Sequence, residues 1–299
     1  MISDIGDIRF VRFLAPSFAA LLLATACQPT ASAGKTTASL TPSLTPAPIP
    51  KHVFVIVLEN TPYPLALRQR YIAGLASQYA VATNYSEISN PSLPNYLGMT
   101  SGSTWGIRDD LYHKLPATGL GEQLSSAGIS WKAYMEGFTG DCFNSPYPYA
   151  LKHNPFAYYG GACPANVVPM TELTTDLSAN TPQLSWITPG MCNDGHDCGV
   201  ARADRWLSQT VPQIVDSTAW KQGGALFITW DEAGSGDGRV ALLVIAPGLH
   251  GQLTMPLNHY SLLATIADQL RVPRLGLAKQ ATSLQPQLEA AAANSPTSG

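Results

Sequence analysis

The sequence predicts an α/β fold, a three-layer sandwich built on a mostly parallel central sheet, and three observations predict it. VFVIVL (53–58), ALFITW (225–230) and VALLVIAP (240–247) are unbroken apolar runs. A strand with one wet face alternates, so unbroken runs of this length suit strands covered by helices on both faces. Segments with helical character separate the runs, which favours crossover connections over hairpins. Finally, two of the runs stop on acids, in Glu59-Asn60 and Asp231-Glu232, and open α/β sheets place their ligands at the carboxyl ends of strands.

Taken in order, residues 1–26 resemble an export signal. Arg9 and Arg12 precede an apolar stretch (13–26) that ends in the small residues Ala24-Thr25-Ala26. That stretch is shorter than the roughly 18–20 apolar residues a membrane span requires. LLLATAC ends in Cys27 and is similar to a bacterial lipoprotein box, which makes Cys27 a candidate lipid attachment and possible membrane tether; ordinary cleavage after Ala26 or Ala33 is the alternative. Residues 27–50 are rich in Thr, Pro, Ser and Ala, with Lys35 the only charge, and suit an extended linker. The expected catalytic domain spans 51–277. Within it, helices are expected at 64–79, 94–100, 121–127, 201–215 and 260–270, with shorter strands at 129–135 and 184–188. Pro91 and Pro94 disfavour a helix before Ser92 and suit one that starts just after it. Residues 278–299 read as a flexible C-terminal tail.

Charged residues make up 12% of the 299 and the net charge is −3. The charged fraction is about half that of ordinary globular proteins, and no basic surplus exists to meet a phosphate backbone, so nucleic acid is not an expected partner. Without Cys27 four cysteines remain, an even number in an exported chain, which favours two disulfides. Three pairings are possible; chain proximity favours Cys142 with Cys163 and Cys192 with Cys198. A zinc site is the competing reading, and the lack of a CxxC pair speaks against it.

Glu59, Asp231 and Glu232 emerging together at strand ends would repel one another unless a hard cation with oxygen ligands offset them. Ser92, at a helix start, would meet free N–H groups and the positive end of the dipole, which stabilise an anion or a developing alkoxide; a plain N-cap is the bland alternative. Asn95 could reach back to the same anion. His153 and His196 fall inside the two presumed disulfide loops. His259 opens a helix and reads as structural.

HVFVIVLEN, NPSLPNYLGMTSGSTWGI, GISWKAYMEG, KHNPF, WITPGMCNDGHDC, FITWDEAG and NHYSLLATIADQL, in this order, resemble the bacterial phosphoesterase family of acid phosphatases and phospholipases C, whose fold is alkaline-phosphatase-like. The resemblance implies a divalent metal ion (Ca, Mg, Mn or Fe) held by Glu59, Asn60, Ser92, Asp231 and Glu232. It implies Ser92 as nucleophile, Asn95 as ligand of a phosphate oxygen, and His153 and His196 beside the phosphate, one of them donating a proton to the leaving group. Thr61-Pro62-Tyr63 replaces the RSF-type sequence of the larger phospholipases C, and no histidine lies between Asn60 and Ser92. Both departures point to the compact acid-phosphatase branch. The expected function is an exported acid phosphatase acting on phosphomonoesters through a phosphoserine, in the periplasm, at the cell surface or secreted. A phospholipase C-type phosphodiesterase and a tethered, non-catalytic binder of a phosphorylated ligand are the alternatives. No G-x-S-x-G elbow of a classical serine hydrolase occurs.

Overall fold

The computed structural model describes residues 52–294. The export signal, Cys27 and the linker lie outside the described residues. The ten strands of the described residues are β1 (Val53–Leu58), β2 (Ala80–Ala82), β3 (Tyr85–Ser86), β4 (Trp131–Met135), β5 (Val167–Pro169), β6 (Leu184–Thr188), β7 (Ala225–Trp230), β8 (Leu242–Ile245), β9 (Gly251–Leu253) and β10 (Leu257–Asn258). The helices are α1 (Tyr63–Ala66), α2 (Arg70–Gln78), α3 (Ser92–Ser101), α4 (Leu120–Ser126), α5 (Glu172–Ser178), α6 (Val200–Val215), α7 (Thr218–Lys221), α8 (His259–Leu270) and α9 (Gln285–Asn294).

The large sheet runs β5-β4-β6-β1-β7-β8-β2-β9. Its pairings are parallel except where β8 runs against β7 and β2, so the expected mostly parallel sheet is what forms. The apolar runs sit at its centre: every residue of β1, β6, β7 and β8 is buried. Helices α2, α5, α6 and α7 contact one another as one layer, and α3, α4, α8 and α9 form the other. β3 and β10 pair apart from the main sheet.

Differences from the sequence expectation are local. The helix expected over 64–79 breaks into α1 and α2, since residues 67–69 turn between them. The three-residue strands β2, β5 and β9 carry too little pattern to read, because their pairing partners lie far along the chain. The expected C-terminal tail is a correction: α9 forms instead, extending the folded region at least to Asn294. Leu284, Leu288 and Ala291 are buried, and the Leu284 N–H donates to Thr265 Oγ1 on α8 at 2.9 Å. That burial outweighs the weak amphipathicity of the segment. The cysteines pair as proximity favours, Cys142 with Cys163 and Cys192 with Cys198. Among the described residues no helix is long and apolar enough to cross a membrane.

Candidate active site

β1 and β7 are parallel neighbours in the register Leu58↔Trp230, so the chain leaves both strands at the same level. Glu59-Asn60 and Asp231-Glu232 therefore emerge side by side, though 171 residues separate Asn60 from Asp231. The Asn60 N–H donates to Asp231 Oδ1 at 3.2 Å, and the Thr61 N–H donates to the Glu232 carbonyl at 3.1 Å. Asn60 adopts a left-handed φ of 47°, a conformation that Asn tolerates better than most residues.

Helix α3 crosses this edge with all ten of its residues buried. It ends on Gly102 at φ 71°, where a Cβ would collide with the Leu275 carbonyl. Ser92 is its first residue, following Pro91 at the cap, and its hydroxyl caps nothing. Instead Ser92 Oγ donates to Glu59 Oε2 at 3.1 Å, and the residue is only 1% exposed. Of the first helical N–H groups, Pro94 has none and that of Leu93 is taken by Asp110 Oδ1 at 3.0 Å. The bland reading of Ser92 as an N-cap is thus set aside.

Asn95 is placed differently from its expected role as ligand of a phosphate oxygen. Its Oδ1 accepts from the N–H groups of Ile88 (3.1 Å) and Ser89 (3.0 Å), and its Nδ2 donates to the carbonyls of Ser89 (2.8 Å) and Pro91 (3.3 Å). Its amide is spent on the segment that delivers Ser92, because a buried amide must satisfy all of its hydrogen bonds locally.

His153 closes a short 3-10 turn packed on α3. Its ring lies between two carboxylates, with Nε2 3.2 Å from Glu59 Oε1 and Nδ1 3.3 Å from Asp194 Oδ2. Tyr96 stacks on it at 5.3 Å and donates to Glu59 Oε1 at 2.6 Å. Burial works against charge on the imidazole, but the Glu59 charge and the bonds to Asp194 and Glu59 outweigh it and raise its pKa to about 10. Burial likewise opposes ionisation of Glu59, and His153 more than offsets it, so Glu59 is held below the usual carboxylate range. His196 stands beside this group, 5.9 Å from His153 between ring centroids. Its Nδ1 lies 2.8 Å from Asp197 Oδ1 and its Nε2 lies 3.3 Å from Lys152 Nζ.

Four participants were not singled out from sequence: Asp194, Tyr96, Lys152 and Asp110. Lys152 and Asp194 stand next to or near the quoted histidines, which is the only signal they carry. Lys152 Nζ donates to Asp110 Oδ2 at 3.0 Å. Burial lowers the Lys152 pKa, and the bond and charge of Asp110, helped by Glu59 and Asp231, raise it further. His259 is more than a helix opener. Its Nε2 meets the Asp231 carbonyl, which can only accept, so Nε2 carries the proton and Nδ1 receives the Tyr85 hydroxyl at 2.8 Å. Burial pushes its pKa down to about 4, leaving it neutral.

Several oxygens at the strand ends are buried without a partner: Asn60 Oδ1, Asp231 Oδ2 and Glu232 Oε2. Burial together with Glu59 raises Asp231 well above the carboxylate range, and Glu232 to about 7 by the same causes. Among the described residues no three His, Cys, Asp or Glu side chains form a metal-binding group by themselves. With the neutral oxygens of Asn60 and Ser92 added, the donor set is all oxygen and short of positive charge. That chemistry fits a hard divalent cation rather than a thiolate-type zinc site.

Comparison with known proteins follows this geometry. The model of the Phosphoesterase family matches residues 68–273, which include Ser92, Lys152, His153, His196, Asp231 and Glu232. A probable acid phosphatase of Kluyveromyces lactis is 30% identical over 76% of this chain and 59% of its own length. A phosphatidylinositol-3-phosphatase of Mycobacterium tuberculosis is 27% identical over 77% of this chain and 80% of its own. The chain thus spans less than two thirds of the length of the fungal relatives. Among solved structures, a protein of the alkaline phosphatase superfamily from Vibrio parahaemolyticus superposes with a TM-score of 0.54 at 9% identity, covering 81% of this chain and 73% of the other. The phosphonate monoester hydrolase of Agrobacterium radiobacter does so with 0.54 at 11%, covering 80% and 77%; at such identities the likeness is one of fold. With an α/β sandwich of the alkaline-phosphatase type, acids at adjacent strand ends and a family match over most of its length, this chain belongs to the phosphoesterase family.

Proposed function

We propose that the chain is an exported, metal-dependent acid phosphatase that hydrolyses phosphomonoesters through a phosphoserine formed on Ser92. The observation that carries the reading is Ser92 Oγ, 3.1 Å from Glu59 Oε2 at the start of a buried helix, beside the unpartnered oxygens of Asn60, Asp231 and Glu232. The relatives named acid phosphatase support the reaction class, and the two disulfides are in keeping with export.

Glu59, Asn60, Ser92, Asp231 and Glu232 would hold the divalent cation, which when bound supplies Lewis-acid stabilisation of charge on the reacting oxygens. Glu59 Oε2 accepts the Ser92 hydroxyl and so aims Oγ into the pocket. His153, pinned between Glu59 and Asp194, orients Glu59 and offsets its charge. Asn95 fixes the backbone of the segment before Ser92. The dipole of α3 favours negative charge at its first residue. In the first step Oγ bonds to phosphorus and the alcohol departs; in the second, water releases phosphate and frees Oγ.

The test is phosphate release from 4-nitrophenyl phosphate and its bis-ester, with and without EDTA, for wild type and Ser92→Ala. The monoester should be preferred, EDTA should stop turnover, and added divalent ion should restore it. Ser92→Ala should lose at least about 10³-fold in kcat while still binding phosphate. Faster cleavage of the bis-ester would move the chain to the phosphodiesterases. Near-normal rates in the serine variant would refute the nucleophile.

A further inference from the structure

We propose that Lys152, held in place by Asp110, is the acid that protonates the departing alcohol, a role that the family resemblance implies for one of the histidines. This rests on the phosphoserine reading above. Both histidines have their ring nitrogens turned toward protein groups rather than toward open space. Both nitrogens of His153 face carboxylates, Glu59 Oε1 at 3.2 Å and Asp194 Oδ2 at 3.3 Å, and the residue is 1% exposed. A lysine ammonium has no lone pair and can only donate. Its approach to 3.3 Å of His196 Nε2 therefore makes that nitrogen an acceptor and places the His196 proton on Nδ1, against Asp197. Both ring nitrogens of His196 thus face protein groups, Lys152 and Asp197.

Lys152 is tied through Asp110 to the helix that carries Ser92. In-line displacement puts the leaving oxygen opposite the nucleophile. Ser92 is 1% exposed, whereas the Lys152 and His196 side chains are 20% and 25% exposed, so Lys152 can meet an alcohol that leaves toward solvent. Asp110 bridges the two: one carboxylate oxygen takes the N–H of Leu93, the residue after the nucleophile, and the other takes Lys152 Nζ. Of the three ammonium hydrogens, one is directed to Asp110 and one to His196, and the third remains for substrate.

The step balances. As Oγ bonds to phosphorus its proton passes to Glu59 Oε2, the oxygen to which it already donates, and the ester P–O bond breaks with its electron pair on the leaving oxygen. That oxygen takes a proton from Nζ and departs as the alcohol, leaving a neutral amine. When water attacks the phosphoserine, one of its protons passes to the amine, the Oγ–P bond breaks, and Oγ takes its proton back from Glu59.

The experiment compares kcat/KM on glycerol phosphate, whose alkoxide needs a proton, with 4-nitrophenyl phosphate, whose phenolate leaves without one. Lys152→Gln and Lys152→Arg should each lose about 100-fold or more on glycerol phosphate and less than about tenfold on the nitrophenyl ester, the loss typical of a missing general acid. Arginine keeps the charge and the pairing with Asp110 but does not release its proton, so Lys152→Arg carries the test should the glutamine variant not fold. Asp110→Asn should show the same selective loss in weaker form. Equal losses on both esters, or a wild-type ratio in Lys152→Arg, would overturn the assignment while leaving the phosphatase reading intact. No phosphate release by wild type from either ester would remove that reading, and this one with it.

Discussion

At the scale of single residues, the site depends on groups that hold other groups. Tyr96 is the clearest case. It donates to Glu59 Oε1 at 2.6 Å and stacks on His153, so the phenol fixes the carboxylate that receives Ser92. Tyr96→Phe keeps the stack and removes the charge-assisted bond, and should lower stability by about 1.5–3 kcal/mol, read by denaturant unfolding. An unchanged midpoint would mean that Glu59 is held by His153 alone. His259 plays the equivalent part beneath Asp231. Glu59, Ser92, Asp231 and Glu232 were legible in the sequence because each stands at the end of a strongly patterned element. Lys152 and Asp110 were not, since their pairing spans 42 residues and neither sits in a periodic segment. Asn95 shows the converse: its motif position is visible, but its hydrogen bonds turn it toward the backbone.

At the scale of elements, the segment carrying Lys152 and His153 has little regular structure, only two 3-10 turns, Leu151–His153 and Pro155–Ala157. The Cys142–Cys163 disulfide closes it. Crosslinking a loop of this size contributes roughly 3 kcal/mol in the chain-entropy account. The Cys142→Ser/Cys163→Ser double variant should therefore melt well below wild type and lose activity before it unfolds, read by activity and circular dichroism on one temperature scan. Coincident losses would argue that the disulfide only stabilises. A second link joins the end of α8 to the chain beyond it, where Arg274 grips Asp268 through Nε at 2.8 Å and Nη2 at 2.6 Å. Partial burial raises the Asp268 pKa, and the guanidinium more than reverses this, holding the carboxyl below its ordinary value. A depressed carboxylate stabilises the fold above its unfolded pKa, and the contribution fades as pH falls through the folded one. Asp268→Asn should thus cost about 0.5–1 kcal/mol at pH 7, the range for a partly exposed pair, and the gap from wild type should close toward pH 3. A gap independent of pH would refute the ion-pair account.

At the scale of the whole molecule, the two helical layers complete what the sheet begins. α9 is weakly patterned, yet its own Leu288 is 4% exposed, so the folded unit does not end where composition turns polar. Leu288→Ala should destabilise the protein by about 2–3 kcal/mol, at the low end for a core leucine because the site is peripheral. A change below about 0.5 kcal/mol would mean that α9 is merely laid against α8. The sequence by itself determined the central strands, a helix starting close to Ser92, the acids at two strand ends and the pairing of the cysteines that proximity favours. Those features follow from local periodicity, backbone restriction and short chain separation. Only the tertiary structure decided that β1 and β7 are neighbours in register, that Asp110 couples Lys152 to the nucleophile helix, and that His153 lies between the carboxylates of Glu59 and Asp194. Each of these is a contact between distant segments. Its formation is set by how the layers pack, which no local pattern of residues encodes.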